Sequence, residues 1–168
     1  DQYQTLLLEY SQDLVGKVAQ STRYVYVGDT QRFLAYLSGI GVTGANQVQR
    51  AHIESYLARL ERNGYAAVTR QRKLSVLRSF FAWLYQNKYV PGDPSASLIP
   101  PRWERKQPRV LTIDEYTQLL AVIDDVRDRA IIKLILQTGL RLVDVHRLNV
   151  QDVYIPEPLT DKSVGRVQ

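Results

Sequence analysis

The chain has 168 residues with 45% hydrophobic content, which suits one large or two small globular domains with a real core. It has no cysteine and only two histidines, which argues against disulfides, thiol chemistry, zinc–thiolate sites and histidine-rich metal sites. A formal net charge of +5 favours a polyanionic partner.

Apolar residues at helical spacing predict four helices with short joints over residues 1–90. Ser21 is the predicted N-cap of the second helix, and Asn63-Gly64 ends the third. Val76 and Trp83 fall on the nominally exposed side of the fourth helix, which suggests a second packed face. The pattern predicts a compact helical bundle with helices near residues 3–14, 21–37, 52–62 and 69–87.

A cluster of prolines follows the bundle. Most of the prolines of the chain fall between positions 91 and 108, and proline removes an amide donor and disfavours helix in the residue before it. Residues 91–108 are therefore predicted to be a largely extended linker between a domain at 1–90 and one at 109–168.

The positive charge lies in the first domain and in the linker. Residues 1–100 carry 11 basic and 7 acidic side chains, a net of +4. Residues 101–109 carry four basic side chains against one acidic, a net of +3. The remaining residues, 110–168, carry 7 basic and 9 acidic side chains, a net of −2.

The part of the chain after the linker combines helices with the start of a sheet. Thr112 and Glu115 fit a capping box, and a second helix is expected from Val126 to Thr138. Gly139 is predicted to end it in the left-handed conformation, and a short helix follows over about 140–148. A strand at 153–155 is expected to pair with residues 164–168.

Two helix starts could contact phosphate. Thr69 to Lys73 open the fourth helix with three basic residues, and Ser21-Thr22-Arg23 open the second. Taken alone, each feature is better explained by a solvated helix face or by a simple N-cap with a nearby arginine. Two such helix starts in one small bundle are better evidence for phosphate contact than either alone.

Arg141 is the candidate phosphate ligand of the second domain. Gly139 lets the chain reverse, so Arg141 is expected in the first turn of the short helix, where Asp144 can orient its guanidinium. The fixed, planar guanidinium matches phosphate oxygens, although a surface Arg–Asp pair is an equally good interpretation.

Neither the histidines nor the tyrosines offer a clear catalytic group. His146 is interpreted as a surface residue, because no nucleophile is identifiable nearby. Four tyrosines on or near apolar stripes are interpreted as core or half-buried residues: Tyr24, Tyr56, Tyr85 and Tyr116.

Residues 138–153 resemble the first active-site box of the tyrosine recombinases, or phage integrases. The resemblance spans nearly the whole chain and is closest to the Xer type. The box has a T-G-x-R core, an acidic residue three positions on, a leucine four further, and an Asp-hydrophobic pair. The upstream order of helices, linker and capping box is also similar. The resemblance implies a mainly α fold: a four-helix, SAM-like core-binding bundle, a linker, and the start of an α+β integrase catalytic domain.

The resemblance also implies a mechanism. In this family a tyrosine hydroxyl cuts a DNA strand and forms a 3′-phosphotyrosyl bond, which a free 5′-hydroxyl then reverses without metal or cofactor. Arg141 corresponds to the first catalytic arginine, and Asp144 to its supporting acidic residue. The implied DNA-binding residues are Thr22, Arg23, Thr69, Arg70, Arg72, Lys73, Arg78, Arg102, Arg105 and Lys106.

Several family elements are not found. The sequence is truncated after the arginine box, with no His-x-x-Arg box and no identifiable nucleophilic tyrosine; Lys162 is a weak substitute for the family's lysine. The chain is expected to bind DNA weakly and to cleave none, whereas the parent protein is expected to be an enzyme. A non-catalytic DNA-binding module, or a helical protein-interaction domain, remains as an alternative.

The expected partner is double-stranded DNA. The resemblance implies a homotetramer on paired DNA sites for the full-length protein and a monomer for this chain. No apolar run approaches the length that a membrane helix needs, so no membrane span is expected. No signal pattern opens the chain, and the expected location is the cytoplasm.

Overall fold

The computed structural model describes residues 2–102, 107–154 and the strand residues 166–167. The chain divides into two compact units, residues 1–105 and residues 106–168. Within the described residues, no helix combines the length and apolar character that crossing a membrane requires.

The first unit is a bundle of four α-helices, which confirms the predicted architecture. Helices α2 and α4, each of 20 residues, pack against one another, while α1 packs on α2 and α3 packs on α4. A 3₁₀ turn at Ala45–Gln47 precedes α3. The helices are α1 (Gln2–Asp13), α2 (Gln20–Gly39), α3 (Arg50–Arg62) and α4 (Ala67–Gln86).

All four helices of the bundle begin one or two residues earlier than predicted. The N-cap of α2 is Ala19 and that of α4 is Ala66, and neither has a side-chain cap. The assignment of Ser21 as an N-cap was therefore wrong. Because α4 begins at Ala67, Arg72 lies in the second turn of the helix, beyond the free backbone amides of its N-terminus.

An aromatic core holds the four helices together. Phe33 of α2 packs edge-on against Phe81 of α4 at 6.0 Å between ring centroids, and against Tyr56 of α3 at 5.1 Å. Tyr10 of α1 meets Phe80 at 5.1 Å. Edge-to-face pairs of this kind add to the free energy of apolar burial.

The second packed face of α4 is confirmed, since Val76 and Trp83 are both buried. The interpretation of the tyrosines holds for Tyr56, which is buried, and for the half-buried Tyr116. It was wrong for Tyr24 and Tyr85, which are 67% and 53% exposed.

The segment after α4 is not fully extended. Val90, Ser95 and Leu98 are buried, and turns occupy much of residues 91–97. The guanidinium of Arg78 on α4 donates to the carbonyl oxygen of Leu98. The first half of the predicted linker is therefore folded onto the bundle.

Among its described residues, the second unit contains three helices and a short antiparallel strand pair, as predicted. A 3₁₀ turn at Val150–Asp152 leads into the strands, where Val153 pairs with Val167. The elements are α5 (Ile113–Ala121), α6 (Val126–Thr138), α7 (Leu142–Arg147), β1 (Val153–Tyr154) and β2 (Arg166–Val167).

Caps define the helix ends of this unit. The Thr112 hydroxyl accepts from the Glu115 amide, and the Glu115 carboxylate accepts from the Thr112 amide, which confirms the capping box. These contacts and the nearby Arg109 lower the pKa of Glu115. Gly139 ends α6 with φ of 71°, the predicted left-handed conformation. None of the described residues from 107 to 154 is buried.

Candidate functional site

Asp29 is a buried carboxylate at the contact between α2 and α4. Its side chain is only 4% exposed, and Lys73 of α4, at 6%, lies against it with 2.5 Å between Nζ and Oδ1. The Lys73 ammonium also lies over the Tyr65 ring at 5.8 Å. A buried charge needs a partner, and each member of this pair neutralises the charge of the other.

The burial of Lys73 bears on its predicted contact with DNA. A side chain that is 6% exposed and paired with Asp29 has little surface to offer a ligand. We therefore leave Lys73 outside the candidate interface and assign it to the attachment of α4 to α2.

Two arginines reach the same carboxylate from the surface. Arg72 Nη1 lies 2.6 Å from Asp29 Oδ2, and Arg32 Nη1 lies 3.1 Å from Oδ1. The side chains of Arg72 and Arg32 are 48% and 68% exposed. One carboxylate thus faces three cations, which leaves a local charge of +2 at this surface.

The contact between Arg72 and Asp29 is an ion pair without an aligned hydrogen bond. Oδ2 of Asp29 is buried and has no hydrogen-bond partner among the described residues. The Arg72 side chain is 48% exposed, so the part of its guanidinium that faces away from Asp29 can offer N–H groups to phosphate oxygens.

The start of α2 contributes a second group. Thr22 and Arg23 are half-buried in its first turn, and the Arg23 guanidinium makes no ion pair within the described part of the chain. They belong to the same helix as Asp29 and Arg32, so α2 carries cations in its first and fourth turns.

The other predicted DNA-binding residues have varied surroundings. Arg70 pairs with Glu61 at 2.7 Å, and Arg78 is committed to the Leu98 carbonyl oxygen. Thr69 is half-buried and Arg102 is exposed. Arg105 and Lys106 lie outside the described residues, as does Lys162.

Arg32 and Asp29 were missed by the sequence interpretation. Asp29 stands on the apolar stripe of α2, one turn before Phe33, and Arg32 follows at the i,i+3 spacing of an ion pair. A charged residue on a buried stripe is itself a signal, because burial without a partner is costly.

Arg141 is the exposed N-cap residue of α7, one position before the expected first turn. Its backbone amide donates to Asp144 Oδ2 at 3.2 Å. Asp144 therefore fixes the backbone of Arg141, whereas the prediction had it holding the guanidinium. Within the described residues the guanidinium has no ion-pair partner and remains available to an anion.

No group of three or more potential metal ligands occurs among the described residues. The exposed guanidiniums of Arg32 and Arg72 in the first unit, and of Arg141 in the second, can each hold anionic oxygens and orient them.

Comparison with known proteins gives this geometry a family context. Residues 7–88 match the model of the phage integrase N-terminal SAM-like domain. The chain is 32% identical over 148 residues to the tyrosine recombinase XerC of Pseudomonas syringae pv. tomato, covering 85% of this chain and 50% of that protein. It is 29% identical over 142 residues to a protein of Caldanaerobacter subterraneus named as a tyrosine recombinase, covering 82% and 49%.

Solved structures show the same fold. A lambda integrase dimer bound to a COC' core site matches with a TM-score of 0.75 at 18% identity, covering 98% of this chain and 48% of that one. A lambda integrase tetramer bound to a Holliday junction matches with a TM-score of 0.74 at 18% identity, covering 98% and 49%. The chain spans about half the length of the curated relatives named above.

Proposed function

The chain belongs to the tyrosine recombinase family, and we propose that its first unit binds duplex DNA through the surface between α2 and α4. This unit contains residues 7–88, which match the phage integrase N-terminal SAM-like domain. The observation that carries the proposal is the arrangement of Arg32 and Arg72 around Asp29, with a local charge of +2. Arginines in such a cluster bind backbone phosphates and release counterions.

The proposed interface is smaller than the set predicted from sequence. It consists of the two exposed arginines of the cluster together with the start of α2 and the basic residues that follow the bundle. Its members are Thr22, Arg23, Arg32, Thr69, Arg72 and Arg102, with Arg105 and Lys106 retained from the sequence prediction.

The second unit would contribute one group to catalysis in the full-length protein. In the proposed reaction, a tyrosine oxygen forms a bond to phosphorus and the bond to the 5′ oxygen breaks, and the reverse step restores the strand. Arg141 would stabilise charge on the non-bridging oxygens, with its position set by Asp144 and Gly139. We propose that this chain alone leaves DNA uncut; a covalent adduct on a nicked recombination site would contradict that.

We further propose that the full-length protein acts as a tetramer on paired DNA sites in the cytoplasm, whereas this chain is a monomer. The cytoplasmic location is supported by the bacterial origin of the recombinase relatives. The tetramer is supported by the lambda integrase structures, which contain a dimer and a tetramer on DNA. Sedimentation of the chain as a dimer without DNA would refute the monomer.

The interface is tested by Arg72→Ala. We expect weaker binding to duplex DNA. The slope of log K against the logarithm of salt concentration should become shallower by about one unit, because about one phosphate contact is lost. Fluorescence anisotropy with a labelled duplex at several salt concentrations measures both quantities.

Arg50→Ala is the matched control. Arg50 is 51% exposed and paired with Glu54 at 2.7 Å, so its exposure and pairing resemble those of Arg72, but it lies at the start of α3. Equal losses for the two variants would contradict a localised interface on α2 and α4.

A further inference from the structure

The carboxylate of Asp29 has more cationic neighbours than its own burial requires. Lys73 alone neutralises it, since the two side chains are 4% and 6% exposed and lie 2.5 Å apart. Arg72 and Arg32 approach it as well, although both extend into solvent. The two arginines are therefore surplus to the neutralisation of the buried charge.

These surplus cations come from different helices. Arg32 lies on α2, one turn after Asp29, while Arg72 lies on α4 beside Lys73. Two guanidiniums repel one another, and long side chains lose rotamer freedom when they are ordered. A shared carboxylate offsets both effects and keeps the two groups at one place on the surface.

We propose that Asp29 is a positioning residue that holds Arg72 and Arg32 ready for a phosphate of duplex DNA. The inference deepens the proposed function and rests on it. Asp29 does not itself contact DNA; it acts by fixing the two guanidiniums before DNA arrives. Preorganisation of this kind improves affinity by lowering the ordering cost of binding.

The proposal differs from simple electrostatics in the sign of its effect. If charge alone mattered, removal of the carboxylate by itself would strengthen DNA binding, and removal of the carboxylate together with Lys73 would leave binding unchanged. Positioning predicts a loss of affinity in both cases.

The decisive variant is Asp29→Asn with Lys73→Met. It removes one negative and one positive charge, so the net charge of the chain is unchanged, and it leaves no unpaired charge in the interior. We expect the double variant to fold and to bind a labelled duplex about tenfold more weakly than the parent chain. The slope of log K against log salt should fall by about one unit or more.

Two controls make the result specific. Arg50→Gln with Glu54→Gln also removes an ion pair without changing net charge, and should leave DNA affinity unchanged. In a background of Arg72→Ala and Arg32→Ala, removal of the Asp29–Lys73 pair should have no further effect on affinity, because the groups it positions are gone.

The outcomes distinguish a failure of the positioning inference from a failure of the proposed DNA binding. Parental affinity and salt slope in the folded double variant would overturn the positioning role while leaving DNA binding intact. Failure of the parent chain to bind any duplex at low salt would overturn the proposed function itself.

If circular dichroism shows that the double variant does not fold, Asp29→Glu gives an independent measurement. It retains the charge and can still pair with Lys73, but it moves the carboxylate by one methylene relative to Arg72. Weaker DNA binding by this folded variant supports the proposal, and parental binding overturns it.

Discussion

Tyr10 illustrates how a single buried side chain connects the first helix to the last helix of the bundle. Its ring is fully buried against Phe80 and Trp83, and its hydroxyl donates to the Ser79 hydroxyl at 2.9 Å. The sequence predicts a helix over residues 3–14 from apolar residues at helical spacing, and Tyr10 lies on its buried face. The sequence could not identify Ser79 as the partner, because the two lie far apart in the chain and only tertiary packing joins them.

The burial of Tyr10 predicts a loss of stability at high pH. Burial raises the pKa of Tyr10 from 10.0 to about 12, so the folded state retains a proton that the unfolded state releases above pH 10. The stabilisation is fully present below pH 10 and is lost as pH rises towards 12, by at most roughly 3 kcal/mol. Urea denaturation at pH 8 and at pH 11 measures the loss.

Tyr10→Phe is the control for this effect, since it removes the ionisable group. We expect it to lower the free energy of unfolding at pH 8 by about 1 kcal/mol, through loss of the bond to Ser79. Its stability should then fall less steeply above pH 10 than that of the parent chain. An equal fall in both proteins would assign the effect to other groups, such as Tyr3 and Tyr56, whose pKa values burial also raises.

Single helices show where sequence patterns locate an end and where they do not. Asn63-Gly64, Thr112 and Gly139 end or begin helices as predicted, because a left-handed glycine and a capping hydroxyl act locally. The starts of α2 and α4 follow Ala19 and Ala66, which carry no capping group. Their positions are set by packing, so no local signal predicts them.

Two glycines of the first unit should respond to alanine with opposite signs. Gly64 follows α3 with φ of 80°, which strains any residue with a Cβ, so Gly64→Ala should lower the free energy of unfolding by about 1 kcal/mol. Gly28 lies inside α2, where an added Cβ would meet only the flexible tip of Arg32 at 3.6 Å. Gly28→Ala should therefore raise the free energy of unfolding by about 0.5–1 kcal/mol.

Chemical denaturation of the two variants beside the parent chain measures both changes. Each substitution adds the same methyl group, so each serves as the control for the other. Destabilisation by Gly28→Ala would show that the space around Arg32 is tighter than the structure indicates.

At the scale of the whole molecule, helical periodicity predicts the four-helix bundle, but local sequence patterns do not show how much of the following segment packs on it. The sequence ended the first domain at residue 90, where the prolines begin. The structure continues the first unit to residue 105, with Ser95 and Leu98 buried. Burial of a proline-rich segment depends on contacts such as Arg78 with Leu98, which no local pattern reveals.

The distribution of the core predicts how the units unfold. All residues in the buried apolar cluster lie between Tyr3 and Leu98, while none is buried among the described residues 107–154. A fragment of residues 1–105 should therefore fold alone and melt within a few degrees of the transition of the whole chain. Differential scanning calorimetry of the two proteins measures this.

A fragment of residues 1–90 provides the contrast. It removes the buried Ser95 and Leu98, so it should melt at a lower temperature than residues 1–105. Equal melting temperatures for the two fragments would mean that the folded segment after α4 adds nothing to the stability of the bundle.

The anchoring of Leu98 to Arg78 also limits how far the second unit can begin from the bundle. Helix α5 begins at Ile113, fifteen positions after Leu98, and a chain of that length spans at most about 50 Å. If the first unit binds a duplex as proposed, any contact of the second unit with the same duplex is therefore intramolecular, which raises its effective concentration above that of a separate chain.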